Sequence, residues 1–227
     1  MIKAIIFDAD HTLYKIRNLK EAEEKKFIYL KDRTGLNSDE LRAYWKSVIK
    51  ELLDSGERDY KKRSRKYSTI KTLVHFGVDE KTAETLATDA IKIFWDAVAE
   101  DLEFDPKIRE IVKTLKGKYR LCVASDEFRK SLTMKLDKVF GDWKDYFEFL
   151  VTADDTQELK PSKKFSEIPL KKLGLSPEEA VFVGDSWERE LSSARELGLK
   201  TVLVKEEKEG NPDFWIKDAS DIKGLDL

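Results

Sequence analysis

The hydrophobic pattern of this chain changes period near Pro106, and that change limits the folds open to it. Upstream, from Tyr14 to about Leu102, apolar residues recur at helical spacing and no proline interrupts them. Leu41, Tyr44, Trp45, Val48, Ile49, Leu52 and Leu53 make the clearest stripe, behind an Asn37–Glu40 pair at capping-box spacing, and Gly56 ends it. Lys20–Asp32 predicts a thinner amphipathic helix. Tyr60, Tyr67, Ile70, Leu73 and Val74 predict a third, closed near Gly77, and Asp79 caps a fourth that runs to Val98. Together these form a bundle-like segment. Downstream, apolar runs at 119–124, 147–152, 180–183 and 201–204 alternate with helical patterns at 107–116, 130–139, 161–173 and 187–197. Ser176-Pro177-Glu178-Glu179 has the Pro and the acidic residue of a helix start, and 214–216 adds an edge strand. The alternation predicts an α/β, Rossmann-like, doubly wound parallel sheet with helices on both faces.

One strand lies on the wrong side of the helical segment. Ala4–Phe7 is a short, wholly apolar run of the kind that forms a strand buried on both faces. It must join the downstream sheet, so the helices are an insertion. Residues 1–14 with 104–227 then make the core, and 15–103 an all-helical domain. A chain of 227 residues is long enough for one sizeable core and a smaller accessory domain.

Bulk composition removes several classes. Lys+Arg 43 against Asp+Glu 45 gives a net charge of -2, so no global field favours nucleic acid. No apolar run approaches the length of a membrane span, and no signal-peptide pattern opens the chain. The lone Cys122, inside an apolar run, fits a buried thiol in a reducing cytoplasm. Charged residues reach 39%, with two Met and one Cys, a composition suited to ion-pair-rich surfaces in a hot environment. The reading is a cytoplasmic monomer or homodimer acting on a small molecule.

The strand ends carry the chemistry. Asp8 and Asp10 follow the first strand, with Thr12 two residues on; by themselves they are either site carboxylates or ordinary loop residues. Ser125 and Asp126 follow the 119–124 run, and Lys160-Pro161 follows 147–152 at a distance. Gly184-Asp185-Ser186 ends the 180–183 run, with Glu188 and Glu190 close behind. A parallel sheet gathers all these ends on one edge. Carboxylates so gathered repel unless a cation joins them, and Mg2+ is the hard ion that takes carboxylates, carbonyls and phosphate oxygens. Carboxylates, a hydroxyl and an ammonium in one crevice are the equipment of phosphoryl transfer.

Asp8-Ala-Asp10-His-Thr12, Ser125, Lys160-Pro161 and Gly184-Asp185-Ser186 resemble the four ordered motifs of the haloacid dehalogenase-like hydrolase superfamily, and the helical insertion resembles that family's cap. The resemblance covers nearly the whole chain. It implies a Mg2+-dependent phosphomonoester hydrolase with Asp8 as nucleophile, forming an aspartyl-phosphate, and Asp10 as general acid and then base. It implies Mg2+ on Asp8, Asp185 and the Asp10 carbonyl, and the phosphoryl group on Asp8, Ser125, Asp126 and Lys160. Thr12, Gly184 and Ser186 support these groups, and a mobile cap closes over the site to exclude water. Dehalogenases of the family lack a carboxylate at the Asp10 position, so Asp10 favours a phosphatase or phosphomutase over a 2-haloacid dehalogenase. A catalytically weakened binding or regulatory protein is the reading from another class.

The family's last motif places an Asp where this chain has Glu190. That residue either reaches the metal, directly or through water, or pairs with Lys160 or faces solvent. His11 stands where a Gly is frequent and either meets substrate or adapts to the turn. The basic run Lys61–Lys66 on a helix of the insertion either meets a second anionic group or is a solvated face. Trp45 and Trp95 read as core, Trp187 as bordering the crevice or packing its helix, and His75 as surface or packing.

Overall fold

The computed structural model describes residues 1–57 and 59–227. The chain divides into two compact units, Met1–Ile16 with Leu102–Leu227, and Arg17–Asp101. The first unit begins with β1 (Ala4–Phe7) and the two-residue β2 (Lys15–Ile16).

The second unit holds α1 (Leu19–Thr34), α2 (Ser38–Asp54), α3 (Arg65–His75) and α4 (Glu80–Glu100). Their starts follow short polar side chains that satisfy orphaned N–H groups. Asn37 accepts from the amides of Asp39 and Glu40, and Asp79 from that of Thr82. The apolar stripes meet in a core of Phe27, Leu30, Leu41, Trp45, Leu73, Ala83 and Ala90. Trp95 is only partly buried, so the core reading holds for Trp45 and less fully for Trp95. Lys26 lies among these groups with no exposed surface. Its Nζ sits 3.5 Å from the Trp45 ring centroid and 4.2 Å from that of Phe27, with no hydrogen-bond partner among the described residues. His75 stacks on Tyr44 at 3.7 Å. The third helix starts later than the apolar spacing predicts, because Ser64 caps it by accepting from the Tyr67 amide. The basic run therefore straddles a turn and a helix start. Lys62 pairs with Glu57 at 3.0 Å and Lys66 with Glu84 at 3.3 Å.

The chain re-enters the first unit at β3 (Leu102–Glu103), antiparallel to β2. This ribbon is too short for its period to register in sequence. Then follow α5 (Ile108–Lys116), β4 (Arg120–Ala124), α6 (Arg129–Phe140) and β5 (Phe149–Val151). Next come α7 (Ala153–Thr156), α8 (Lys164–Leu173), β6 (Ala180–Gly184), α9 (Ser192–Glu196), β7 (Lys200–Val204) and β8 (Phe214–Ile216). The sheet is wholly parallel, ordered β5-β4-β1-β6-β7-β8. Strand β1 sits at the centre, in register with β4 at Phe7–Val123 and with β6 at Phe7–Val183.

Alternation along β1 explains its all-apolar sequence. Ile5 and Phe7 enter one hydrophobic layer, with α5 and α6; Ala4 and Ile6 enter the other, with Phe165, Leu170 and Leu173 of α8. The chain winds outward from β1 to β5, then returns beside β1 as β6. That reversal is the switch point where open α/β sheets bind ligands, at the carboxyl ends of the strands.

Candidate active site

At the switch point β1 delivers Asp8, whose amide donates to the Val183 carbonyl at 2.8 Å. The following turn closes by Leu13 N–H to Ala9 O at 2.9 Å and His11 N–H to Tyr14 O at 2.7 Å. His11 takes φ 63, the left-handed region that a glycine adopts freely, so of the two expectations for it the adaptation to the turn is the one its backbone displays. Thr12 Oγ1 donates to Asp8 Oδ2 at 3.2 Å. After β4, the Ser125 amide donates to Val151 O at 3.0 Å, and its buried hydroxyl accepts from the Glu127 amide at 3.3 Å. The Asp126 carboxylate is taken by Arg189 at 2.6 Å, so a contact from residue 126 to an anion falls to its main chain.

Strand β6 ends at Gly184, with Asp185 half-buried beyond it. The spacing at 187–197 predicts an ordinary helix, but the structure opens it with a wider turn over Trp187–Leu191. Leu191 N–H reaches back to Ser186 O at 3.2 Å, and the Ser186 hydroxyl accepts from the Arg189 amide at 3.3 Å. Such π-type turns re-aim a side chain within a helix. Here Glu190 is buried, at 6% exposure. Trp187 packs under Gly210, where a Cβ would strike its ring.

Lys160 ties these segments together. Its ammonium pairs with Asp8 Oδ1 and donates to Glu190 Oε1 at 2.9 Å, itself fully screened from solvent. Asp8, Asp185 and Glu190 each bring an oxygen within 4.8 Å of the others. Glu190 therefore pairs with Lys160, one of the expected alternatives, and also faces the other two acids. Its second oxygen, Oε2, is buried without a hydrogen-bond partner among the described residues. Such an orphaned acceptor among carboxylates fits a hard cation. The longer side chain is accommodated because residue 184 is glycine; a Cβ there would collide with Glu190 Oε2.

The electrostatics follow from this crowding. Burial, and then Glu190, push the Asp8 carboxyl up to about 8, with Lys160 pulling the other way. Burial and Asp8 raise Asp185. Asp10 goes the opposite way: burial would raise it, but the Lys135 ammonium holds it below its ordinary value.

Lys135 is a site residue that sequence reasoning missed. It lies on α6, fully buried, and donates to both carboxylate oxygens of Asp10 at 2.6 and 2.8 Å. Glu127 stands 3.8 Å from the same ammonium and accepts from the Ser131 hydroxyl at 2.5 Å. Glu127, Ser131 and Lys135 recur every four residues, which in sequence reads as the solvated face of a helix. The signal that could have found them is a polar stripe on a helix whose start lies at a catalytic strand end.

A model of the haloacid dehalogenase-like hydrolases matches residues 2–198. The ribulose-1,5-bisphosphate 5-phosphatase of Halopiger xanaduensis is 23% identical over 93% of this chain and 88% of its own length. The glyceraldehyde 3-phosphate phosphatase of Methanothermobacter thermautotrophicus is 25% identical over 100% of this chain and 96% of its own. Among solved structures, a 2-haloacid dehalogenase from Pseudomonas syringae superposes with TM-score 0.75 at 21% identity, covering 99% of this chain and 97% of its own. A phosphatase of the same superfamily from Thermococcus onnurineus gives TM-score 0.69 at 21% identity, covering 98% and 97%. These superpositions speak for the fold.

Proposed function

The chain belongs to the haloacid dehalogenase-like hydrolase family, and from that membership we propose that it is a Mg2+-dependent phosphomonoester hydrolase acting on a small phosphorylated metabolite. The observation that carries the proposal is the pairing of two differently treated acids on one strand end. Asp8 converges with Asp185, Glu190 and Lys160, while Asp10 is held apart by Lys135. Relatives named as phosphatases, over nearly the full chain, support the same reaction class.

In this reading an Asp8 oxygen attacks phosphorus, and the bond from phosphorus to the ester oxygen breaks. Asp10, which must first take up a proton against the pull of Lys135, gives that proton to the leaving oxygen. Water then attacks the aspartyl-phosphate, Asp10 takes back a proton, and phosphate leaves with Asp8 restored. Ser125, Lys160 and the Asp126 main chain hold the phosphoryl oxygens, and Thr12 fixes the rotamer of Asp8. The side chains of Asp8, Asp185 and Glu190, with the Asp10 carbonyl, would hold Mg2+. When bound, the ion supplies charge neutralisation that ionises Asp8 and draws on the phosphoryl oxygens. The retained Asp10 favours an ester oxygen over a halide as leaving group, because a halide needs no proton. The helical unit takes the role of the family's cap, selecting the leaving group.

The test is phosphate release, with and without Mg2+, from an aryl phosphate, glyceraldehyde 3-phosphate, ribulose 1,5-bisphosphate and pyrophosphate. Mg2+-dependent release that vanishes in Asp8→Asn supports the proposal. No release from any ester overturns it, as does turnover that survives Asp8→Asn.

A further inference from the structure

Two fully buried lysines divide the acids of this site between them. Lys160 serves Asp8 and Glu190; Lys135 serves Asp10 and stands near Glu127. The second pairing has no role in holding a phosphoryl group or a cation, yet a desolvated ammonium is costly to keep unless it is well paired. We infer that Lys135 is the positioning residue for Asp10: by clamping both carboxylate oxygens it keeps that side chain off the cation site and aimed at the leaving oxygen. The inference rests on the proposed phosphatase chemistry.

The geometry supports this in three steps. First, the acids that converge within 4.8 Å of one another are Asp8, Asp185 and Glu190; the Asp10 carboxylate is not in that group although its residue is two positions from Asp8. A carboxylate so near a divalent ion would ordinarily swing onto it, and a metal-bound carboxylate cannot deliver a proton to a leaving group. Second, Lys135 donates to both Asp10 oxygens, at 2.6 and 2.8 Å, which fixes the plane of the carboxylate as well as its place. Third, the clamp is itself held. Glu127 lies 3.8 Å from Lys135 on the side of α6 that carries Ser131, and Ser131 donates to Glu127 at 2.5 Å and to Phe128 O at 2.9 Å. Ser131 and Lys135 lie one turn apart on α6, and Glu127 sits just before the start of that helix.

The test uses the full-length protein with Lys135→Met, and with Lys135→Gln as a second variant that keeps a hydrogen-bonding group should Met fail to fold. Two substrates separate the roles: an alkyl phosphate, whose alkoxide must be protonated, and p-nitrophenyl phosphate, whose leaving group needs no proton. The expected result is a kcat lower by about 100-fold on the alkyl ester with KM nearly unchanged, and a first-turnover nitrophenol burst within about threefold of the wild type. In an Asp10→Asn background the same substitution should add less than about threefold, because its partner is already gone. The second readout does not need turnover. Mg2+ binding by calorimetry should tighten by about 10-fold in Lys135→Met, as Asp10 becomes free to ligate, and Lys135→Arg should restore both behaviours. Equal losses on both esters with unchanged Mg2+ affinity would overturn the inference and leave Lys135 a packing residue. A wild type that binds Mg2+ but hydrolyses nothing would defeat the phosphatase reading instead, and the calorimetric arm would still decide whether Lys135 withholds Asp10 from the metal.

Discussion

Lys135 in the sheet-bearing unit and Lys26 in the helical unit are equally buried, and the two environments treat them in opposite ways. Lys135 is surrounded by carboxylates, so although burial works against its charge, Glu127 and Asp10 hold its pKa above the ordinary lysine value. Lys26 meets the faces of Trp45 and Phe27, with Arg65 and Arg42 as cationic neighbours. Burial, then Arg65, drive its pKa well below the ordinary value, and Glu23 only partly offsets them. The same side chain at the same depth is thus a fixed cation in one unit and a suppressed one in the other. Burial does not decide the charge; the partners do. The sheet supplies those partners because parallel strand ends collect polar residues on one edge, whereas a helical bundle gathers apolar stripes.

The sharpest way to break this comparison is to remove the most heavily partnered lysine. Lys160→Met leaves Asp8 and Glu190 facing each other without their shared counter-charge. Turnover of an aryl phosphate should fall by about 1,000-fold, and urea unfolding should show a loss of about 3 kcal/mol. Retention of more than a tenth of the activity would mean that the pairing serves stability alone. Next in size is the acid side of the cluster. Glu190→Gln should weaken Mg2+ binding by about 100-fold in calorimetry, since it removes the charge of the otherwise unpartnered oxygen. Gly184→Ala should act on the same oxygen by steric pressure and weaken Mg2+ by about 10-fold, with Glu190→Asp in that background recovering part of the loss.

The smallest effect belongs to the helical unit. Lys26→Met replaces a suppressed ammonium by an apolar chain of similar length, so stability near pH 7 should rise by about 1 kcal/mol while turnover stays within about twofold. The pH dependence has a definite sign. In the fold Lys26 releases its proton below 10.5, whereas the unfolded chain holds it until near that value. Between the two values the unfolded state binds more protons, so wild-type stability rises with pH there. The penalty is complete below the folded value and gone above 10.5. The advantage of Lys26→Met should therefore shrink as pH climbs toward 10.5. An advantage that is constant with pH would show that Lys26 keeps its ordinary pKa in the fold, and a loss of stability would show that the ring contacts outweigh desolvation.

Much of this molecule was legible without coordinates. The period change near Pro106, the all-apolar Ala4–Phe7 run and the caps at Asn37 and Asp79 are local signals, and local propensity and burial pattern act within a few residues. They determine a parallel sheet with an inserted helical unit, and they place Asp8, Asp10 and Asp185 at strand ends, because strand direction fixes the edge, with Lys160 on the connection beyond the 147–152 strand. Tertiary structure decided what periodicity cannot encode. The β2–β3 ribbon depends on pairing residues 15–16 with 102–103, far apart in the chain. The turn that buries Glu190 departs from helical spacing only through a backbone hydrogen bond from Leu191 to Ser186. The meeting of Lys135 with Asp10 joins residues 125 positions apart. Lys135 and Lys26 look alike in sequence, each a lysine on an amphipathic helix. Only the fold brings carboxylates to one and aromatic rings to the other, because charge in a protein interior is set by neighbours in space and not by neighbours in the chain.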